Sequence, residues 1–321
     1  MDWLAKLTRL AIIVGIGLTL LGAMAPVFPW LDAINHFRPV LFAGSVLLVF
    51  LSWQLSGPRR WRFATGLALA NAALFALPLA WSAGTLRGQA QAGASQREMM
   101  VLTFNMAWSA RPVDNVADFI LSRRPDIALL QEVSLQHAEA LKSRLAGAYP
   151  HIRHCTVFQG CSQLLLSRHP WLEAKEVYRS TGEPEMIWAR FDHPRLGKLK
   201  VHGLHLAWPF TPDKQVRHID QLLQRAGTLA EPAIFAGDFN LTPWSYQMQR
   251  LQAVSGLRRH ATFLRSWPTD GQLRIPLPLV LIDHVLSTPD IRTVSIEIGP
   301  NLGSDHLPVI ATLSLPKAQL Q

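Results

Sequence analysis

Ala233-Ile234-Phe235-Ala236-Gly237-Asp238-Phe239-Asn240 is an apolar run that ends in a glycine, a carboxylate and an amide. A short apolar stretch bounded by a turn residue reads as a buried strand. Side chains alternate along an extended chain, so Asp238 and Asn240 are expected on one side and Phe239 in the core. At such a strand end the carboxylate can orient or deprotonate a water. The amide can hold an oxygen without adding charge. Gly-Asp-Phe-Asn alone is a weak signal; its weight comes from its companions.

The same kind of ending recurs. Asn105 closes Val101-Leu102-Thr103-Phe104, and Gln131-Glu132 closes a run from Ile127. His205 ends Val201-His202-Gly203-Leu204, and Ile282-Asp283-His284 and Ser304-Asp305-His306 follow further on. Carboxylates, amides and histidines at strand ends can converge on one metal and one phosphate, the kit for metal-assisted hydrolysis of a phosphate ester. A carboxylate pushed out of an apolar strand, as at Glu132, suits a hard, oxygen-seeking cation such as Mg2+, with Mn2+ as the alternative. His202 lies three residues before His205 and falls on the opposite face of its strand, so it is a bystander, and His284 faces away from Asp283.

Strand-like runs recur at 99–104, 127–130, 163–166, 186–191, 199–206, 233–236, 280–286, 294–298 and 309–315. Helical patterns separate some of them. Val113, Val116, Ile120 and Leu121 line one helix face. Val216, Ile219, Leu222, Leu223, Ala226 and Leu229 line another, behind Thr211 as N-cap and Pro212 at the first helical position. Several strand pairs lack an intervening helix, which predicts a mixed-sheet α/β (α+β) layered domain.

With six motifs in this order, residues 98–316 closely resemble the endonuclease/exonuclease/phosphatase superfamily, which includes DNase I, repair nucleases, sphingomyelinases and inositol phosphatases. The resemblance implies a DNase I-like four-layer sandwich of two mixed sheets flanked by helices, with the active site at one end. It implies a metal shell of Glu132, Asn105 and Asp305. It implies catalytic roles for Asp238, Asn240, His306, Asp283 and His205, with Asp283 orienting His306 and His205 meeting the phosphate or the leaving oxygen. Three apolar spans followed by this domain, with Asn240 continuing into Leu241-Thr242-Pro243-Trp244-Ser245, are similar to a membrane-anchored bacterial branch that includes teicoplanin-resistance proteins.

Those spans are legible from charge alone. Twenty-two residues between Arg9 and Asp32, 20 between Arg38 and Arg59, and 24 between Arg62 and Arg87 carry no charge. About 20 apolar residues cross a bilayer as a helix. Transmembrane helices are therefore expected over roughly 8–30, 39–57 and 62–83, with Pro26, Pro29 and Pro78 near their ends. The first stretch also has signal-peptide features, Lys6 and Arg9 followed by Ala23-Met24-Ala25, but two more spans at once fit a retained anchor better. Lys6, Arg9, Arg59, Arg60 and Arg62 place the N-terminus and the second loop in the cytoplasm by the positive-inside rule. The large C-terminal part then faces outward, as a periplasmic domain on a multi-pass inner-membrane protein. The expected organisation is a three-helix anchor over 1–85, a Gly/Ala/Gln/Ser-rich linker over 86–97, the catalytic domain over 98–316 and a tail over 317–321.

The formal charge of +9 invites a nucleic-acid reading. Residues 1–97 hold 8 Lys or Arg against 2 Asp or Glu, whereas residues 98–321 hold 23 against 20. Most of the excess is thus topology signal, and composition establishes no DNA footprint. Cys155 and Cys161 can form a disulfide outside the cytoplasm or remain two buried thiols. Trp208-Pro209-Phe210 and Arg265-Ser266-Trp267-Pro268 can rim a substrate site or simply pack their loops. The leading expectation is a membrane-anchored, Mg2+-dependent phosphoesterase acting on a phosphate ester or a lipid-linked phosphate or pyrophosphate. An extracytoplasmic DNA nuclease is the alternative. An inactive membrane scaffold is disfavoured because every expected site residue is present.

Overall fold

The computed structural model describes residues 2–55, 58–87, 97–108, 113–155, 160–178, 182–193, 197–261, 263–269 and 280–315. These form two compact units. One comprises Met1–Trp81 with Trp208–Val216 and Leu241–Arg250, and the other holds the remainder.

The first unit is built on α1 (Asp2–Ala23), a one-turn α2 (Asp32–Asn35), α3 (Arg38–Leu55) and α4 (Pro58–Arg87). Three helices, over Trp3–Ala23, Arg38–Leu55 and Trp61–Ala80, are long and apolar enough to cross a membrane. The first ends earlier than its uncharged stretch, because the chain turns ahead of a short 3-10 segment at Pro29–Leu31. Pro78 lies inside α4 rather than near its end. Apolar residues cover the outside of these helices, with Ile13, Leu20, Leu47 and Leu69 all exposed.

Polar groups are turned inward instead. Asn35 donates to the Gly22 carbonyl at 3.1 Å and to Asp32 at 2.8 Å, and Arg38 donates to Asn35 Oδ1. A Cβ on Gly22 would stand 2.6 Å from the Arg38 guanidinium, so the glycine makes room for this buried arginine. Asp32 accepts backbone N–H bonds from Tyr246 at 2.6 Å and Gln247 at 3.1 Å. It thereby caps the helix that starts at Tyr246, where orphan donors favour a carboxylate.

The second unit holds two six-stranded mixed sheets. In chain order it runs through β1 (Arg97–Asn105), α5 (Val113–Arg123), β2 (Ile127–Gln131), α6 (Leu135–Leu145), β3 (His151–His154), β4 (Leu164–Ser167), β5 (Glu173–Val177), β6 (Glu185–His193) and β7 (Gly197–His205). Then come α7 (Pro212–Gly227, in this unit from Arg217 on), β8 (Ala233–Asp238), α8 (Tyr246–Ser255, in this unit from Leu251 on), β9 (Arg258–Arg259), β10 (Asp283–Ser287), β11 (Arg292–Ile298) and β12 (Val309–Leu315). Strand order is β11-β12-β1-β2-β4-β3 in one sheet and β5-β6-β7-β8-β10-β9 in the other.

Each sheet has one parallel pair, β1 with β2 and β7 with β8, and every other pairing is antiparallel. A parallel pair needs a crossover, and α5 and α7 supply it. The alternation of β1 and β2 sorts their side chains between two cores. Met99, Val101, Ile127 and Leu129 meet Ile187, Val201, Ile234 and Val285 between the sheets. Leu102, Phe104, Ala128 and Leu130 face Val116, Ile120 and Leu141 of α5 and α6. Each fully buried Leu, Ile or Phe contributes about 1.5–3 kcal/mol. The expected DNase I-like architecture of two mixed sheets flanked by helices is therefore present. Strands β3, β5 and β9 and helices α6 and α8 add to the elements read from the sequence. The run 280–286 becomes strand only from Asp283.

Cys155 and Cys161, left open by the sequence, are joined in a disulfide. The expected linker lies largely in 88–96, and the tail over 317–321, outside the described residues.

Candidate active site

The two parallel pairs end side by side in chemistry. β1 ends at Asn105, β2 runs into Glu132, β7 ends at His205 and β8 ends at Asp238. Ligands of open α/β sheets gather outside the carboxyl ends of parallel strands. Register does the rest. Glu185 pairs with His205, His205 with Asp238, and Asp238 with Asp283, so four strands deliver one row of titratable side chains.

Asp238 is the hub of this row. Its Oδ2 accepts from Asn105 Nδ2 at 3.0 Å and lies 3.8 Å from both His205 Nε2 and His306 Nε2. Asn105 Nδ2 also donates to Glu132 Oε1 at 3.0 Å, while its own oxygen accepts the Ala107 N–H. His205 Nε2 stands 3.5 Å from Glu132 Oε1, and its Nδ1 faces Glu185 Oε2 at 3.7 Å. His306 Nδ1 is held by Asp283 Oδ2 at 2.8 Å. The loop carrying His306 is tied to the end of β1, because Ser304 Oγ donates to the Asn105 carbonyl at 2.7 Å and accepts the His306 N–H at 3.0 Å.

Local backbone reflects the demands of the site. Glu132 and Asn240 have φ of 53° and 50°, a region uncommon for residues with a side chain and one that clusters at functional sites. Asn240 therefore does not reach the side of Asp238 by strand alternation, since β8 stops at Asp238. A left-handed turn brings it there, with the Asn240 N–H donated to Asp238 Oδ1 at 2.8 Å and its Nδ2 3.4 Å from Oδ2. Phe239 is fully buried, as alternation predicted. Gly237 has φ 154°, and a Cβ there would lie 2.0 Å from the Leu204 carbonyl oxygen. Only glycine allows β7 and β8 this approach.

Electrostatics follow from burial. Burial alone would keep the His306 ring neutral, but the charges of Asp283, Asp238 and Asp305 outweigh it and push the ring up to about 10. His205 is likewise raised against its burial, by Glu185, Asp238 and Glu132. Burial pushes Asp238 up to about 6, opposed by His306 and reinforced by Asp283.

Among the described residues, two sets of potential metal ligands have donor atoms within 4.8 Å of one another: Glu132, His205 and Asp238, and Asp238, Asp283 and His306. Their carboxylates crowd a buried space, where like charges are costly without a cation. Hard oxygen donors of this kind fit a divalent ion. Asp305 lies outside both sets; its Oδ2 accepts the Trp267 indole N–H at 3.0 Å, and that ring is 6.4 Å from His306.

Glu185 is the site residue that sequence reasoning passed over. It is buried, accepts from the Ser162 N–H and hydroxyl, and pairs in register with His205. Its one sequence signal was a glutamate opening the apolar run Met186-Ile187-Trp188-Ala189. The histidines set aside do lie elsewhere: His202 stacks on Phe235 at 4.3 Å, and His284 packs edge-on against Phe239.

Residues 102–306 match the model of the endonuclease/exonuclease/phosphatase family. Two mixed sheets with acidic and imidazole groups at one end define a class of hydrolases that act on phosphate esters. The chain belongs to the endonuclease/exonuclease/phosphatase family. Solved structures share the fold at low identity. An endonuclease/exonuclease/phosphatase from Beutenbergia cavernae DSM 12333 is 22% identical, with TM-score 0.56 over 70% of this chain and 74% of that one. D. rerio TDP2 complexed with single-strand DNA product is 18% identical, with TM-score 0.56 over 68% and 99%. A mannosyl-6-phosphatase from Bacteroides thetaiotaomicron VPI-5482 is 14% identical, with TM-score 0.52 over 68% and 100%. No curated protein is significantly similar in sequence.

Proposed function

We propose that this protein is a membrane-anchored, Mg2+-dependent phosphoesterase that hydrolyses a lipid-linked phosphate ester or pyrophosphate outside the cytoplasm. The observation that carries the reading is the cluster around Asp238, found together with three helices able to cross a membrane among the described residues.

In this reading Asp238 positions the attacking water and takes its proton, a task suited to a carboxylate raised toward neutral pH. His306, kept protonated by Asp283, donates to a phosphoryl oxygen as charge develops there. Asn240 offers an amide to the same oxygens, and His205 serves the phosphate or the leaving oxygen. Glu132, with Asn105 and Asp305, would hold Mg2+ or Mn2+. A bound ion supplies Lewis-acid charge that offsets the negative charge of the phosphate.

Location rests on three supports. The arginine-rich second loop favours an outward-facing catalytic domain. The Cys155–Cys161 disulfide accords with an oxidising compartment. Trp208 and Phe210 are 56% and 66% exposed, as suits residues near a headgroup layer. The domain's near balance of charge favours a lipid phosphate over a polyanion. It also agrees with the narrower resemblance to teicoplanin-resistance proteins.

A nuclease is the second reading, favoured by the likeness to TDP2 holding a DNA product. Purified full-length protein assayed with undecaprenyl pyrophosphate and with plasmid DNA, in Mg2+ and in EDTA, separates the two. Metal-dependent phosphate release without nicking is expected. Nicking without lipid turnover, lost steeply with added salt, would instead make it a surface nuclease.

A further inference from the structure

His205 is supported at the ring nitrogen that does not face Asp238. β6 opens with Glu185, a carboxylate only 1% exposed. It pairs in register with His205 on β7, and directly opposite residues share a face of the sheet. Glu185 Oε2 stands 3.7 Å from His205 Nδ1. Nε2 of the same ring looks into the cluster, 3.5 Å from Glu132 Oε1 and 3.8 Å from Asp238 Oδ2. A half-turn of the imidazole would put a carbon in the place of each nitrogen. The partner of Nδ1 therefore decides whether Nε2 faces the site.

That partner is itself held, by the segment that leads into β4. Glu185 Oε1 accepts both the N–H and the hydroxyl of Ser162. The Glu185 carbonyl accepts from Gln163 Nε2 at 2.7 Å. Ser162 also gives its carbonyl to the Val133 N–H at 2.8 Å, next in the chain to Glu132. Ser162 follows Cys161, and the Cys155–Cys161 disulfide closes this segment onto the residue after β3. There the Cys155 N–H donates to the Gln163 carbonyl at 3.1 Å, and the Gln163 N–H to Cys155 Sγ at 3.2 Å. Ser162, Gln163 and both cysteines are buried. A buried carboxylate keeps its place only with such fixed donors. With Oε1 engaged by two of them, Oε2 is left turned toward the imidazole.

We propose that Ser162, on the disulfide-closed segment, positions His205 through Glu185, and that the Cys155–Cys161 bond thereby sustains turnover. Ser162 and Glu185 are positioning residues, since they act on the substrate only through the ring. The rate effects rest on the phosphoesterase reading, which the proposal deepens by naming what orients His205. Outer partners of a working imidazole are worth about 10–100-fold in activity.

The test uses full-length protein in nanodiscs, with undecaprenyl pyrophosphate and Mg2+. Glu185→Gln is expected to lower kcat about 100-fold and Ser162→Ala about tenfold, each with KM within about twofold of wild type. The double variant Cys155→Ser/Cys161→Ser should lower kcat about tenfold. Adding Ser162→Ala to it should cost less than about threefold more, because both changes break one link. Unchanged kcat in Glu185→Gln or Ser162→Ala, or losses that simply multiply, would overturn the proposal. Proton NMR of protein labelled with 15N-histidine reads the ring without turnover. The His205 Nδ1–H, identified by its loss in His205→Asn, should lie downfield and should lose that position in Glu185→Gln and Ser162→Ala. A signal indifferent to both variants would overturn the proposal even if kcat fell. If the wild type releases no phosphate while the signal still depends on both residues, the phosphoesterase reading fails and the positioning of His205 stands.

Discussion

Both compact units of this protein bury charge, and they do so to opposite ends. In the helical unit every oxygen of Asp32 is consumed by backbone N–H groups of Tyr246 and Gln247 and by Asn35. In the sheet unit Asp238 is surrounded by groups that also ionise, His205, His306 and Asp283, and burial raises its proton affinity. A buried charge met by fixed donors is structural, whereas one met by other titratable groups is poised for proton transfer. Ser-His-Asp hydrolases arrange an aspartate and histidine by the same logic. The comparison teaches that the kind of partner, not depth of burial, separates scaffold from chemistry.

The largest effects expected from this contrast fall on turnover. Asp238→Asn and His306→Ala should each lower kcat by about 10^3–10^4-fold while circular dichroism and thermal midpoint stay close to wild type. Near wild-type rates in either variant would remove the sheet cluster from the chemistry.

Gly237→Ala should act on the fold instead. Its Cβ would overlap the Leu204 carbonyl, so a loss of about 3 kcal/mol or more, or failure to accumulate folded protein, is expected. A folded, equally stable variant would show that β7 and β8 can part without penalty.

A third prediction concerns a buried histidine outside the cluster. His260 lies between Thr293 Oγ1 and Ser287 Oγ, each at 2.6 Å, and burial, assisted by Arg258, lowers it to about 4. The unfolded chain then binds the proton more readily between about 6.5 and 4. The stability this group contributes is complete above that range and is lost as pH falls through it, up to about 3 kcal/mol. Thermal midpoints of the wild type and His260→Gln should converge as pH drops from 7 to 4.5. A constant gap would contradict the assignment.

The smallest effect is expected at Asp32. Asp32→Ala removes a helix cap and should cost about 1–2 kcal/mol, visible as a lower thermal midpoint, with kcat changed by less than about threefold. A collapse of kcat at unchanged stability would break the contrast, since it would give Asp32 a part in the chemistry.

Much of this was legible in single stretches of chain. Apolar runs ending in Asn105, Glu132, His205 and Asp238 announce strands that carry polar groups at their tips, because alternation and burial act on neighbouring residues. The uncharged stretches before residue 87 announce helices for the same local reason. Other features were not legible. Helix α8 has weak periodicity, and part of its N-terminal capping comes from Asp32, more than two hundred positions away. Strands β3 and β5 are short and only partly buried, so their pattern is faint. Asn240 reaches Asp238 through a left-handed turn that no alternation rule encodes.

The sequence by itself therefore determined the family, the two mixed sheets, three helices able to cross a membrane, and the residue types that meet at the site. Those follow from composition and period along the chain. Tertiary structure alone decided that Glu185, His205, Asp238 and Asp283 stand in one row, that Cys155 and Cys161 are joined, and that Phe42, Phe75 and Trp244 stack. Each of these depends on strand register or on contacts between distant segments. Such pairings are chosen by packing the whole core at once, and no short window of sequence contains them.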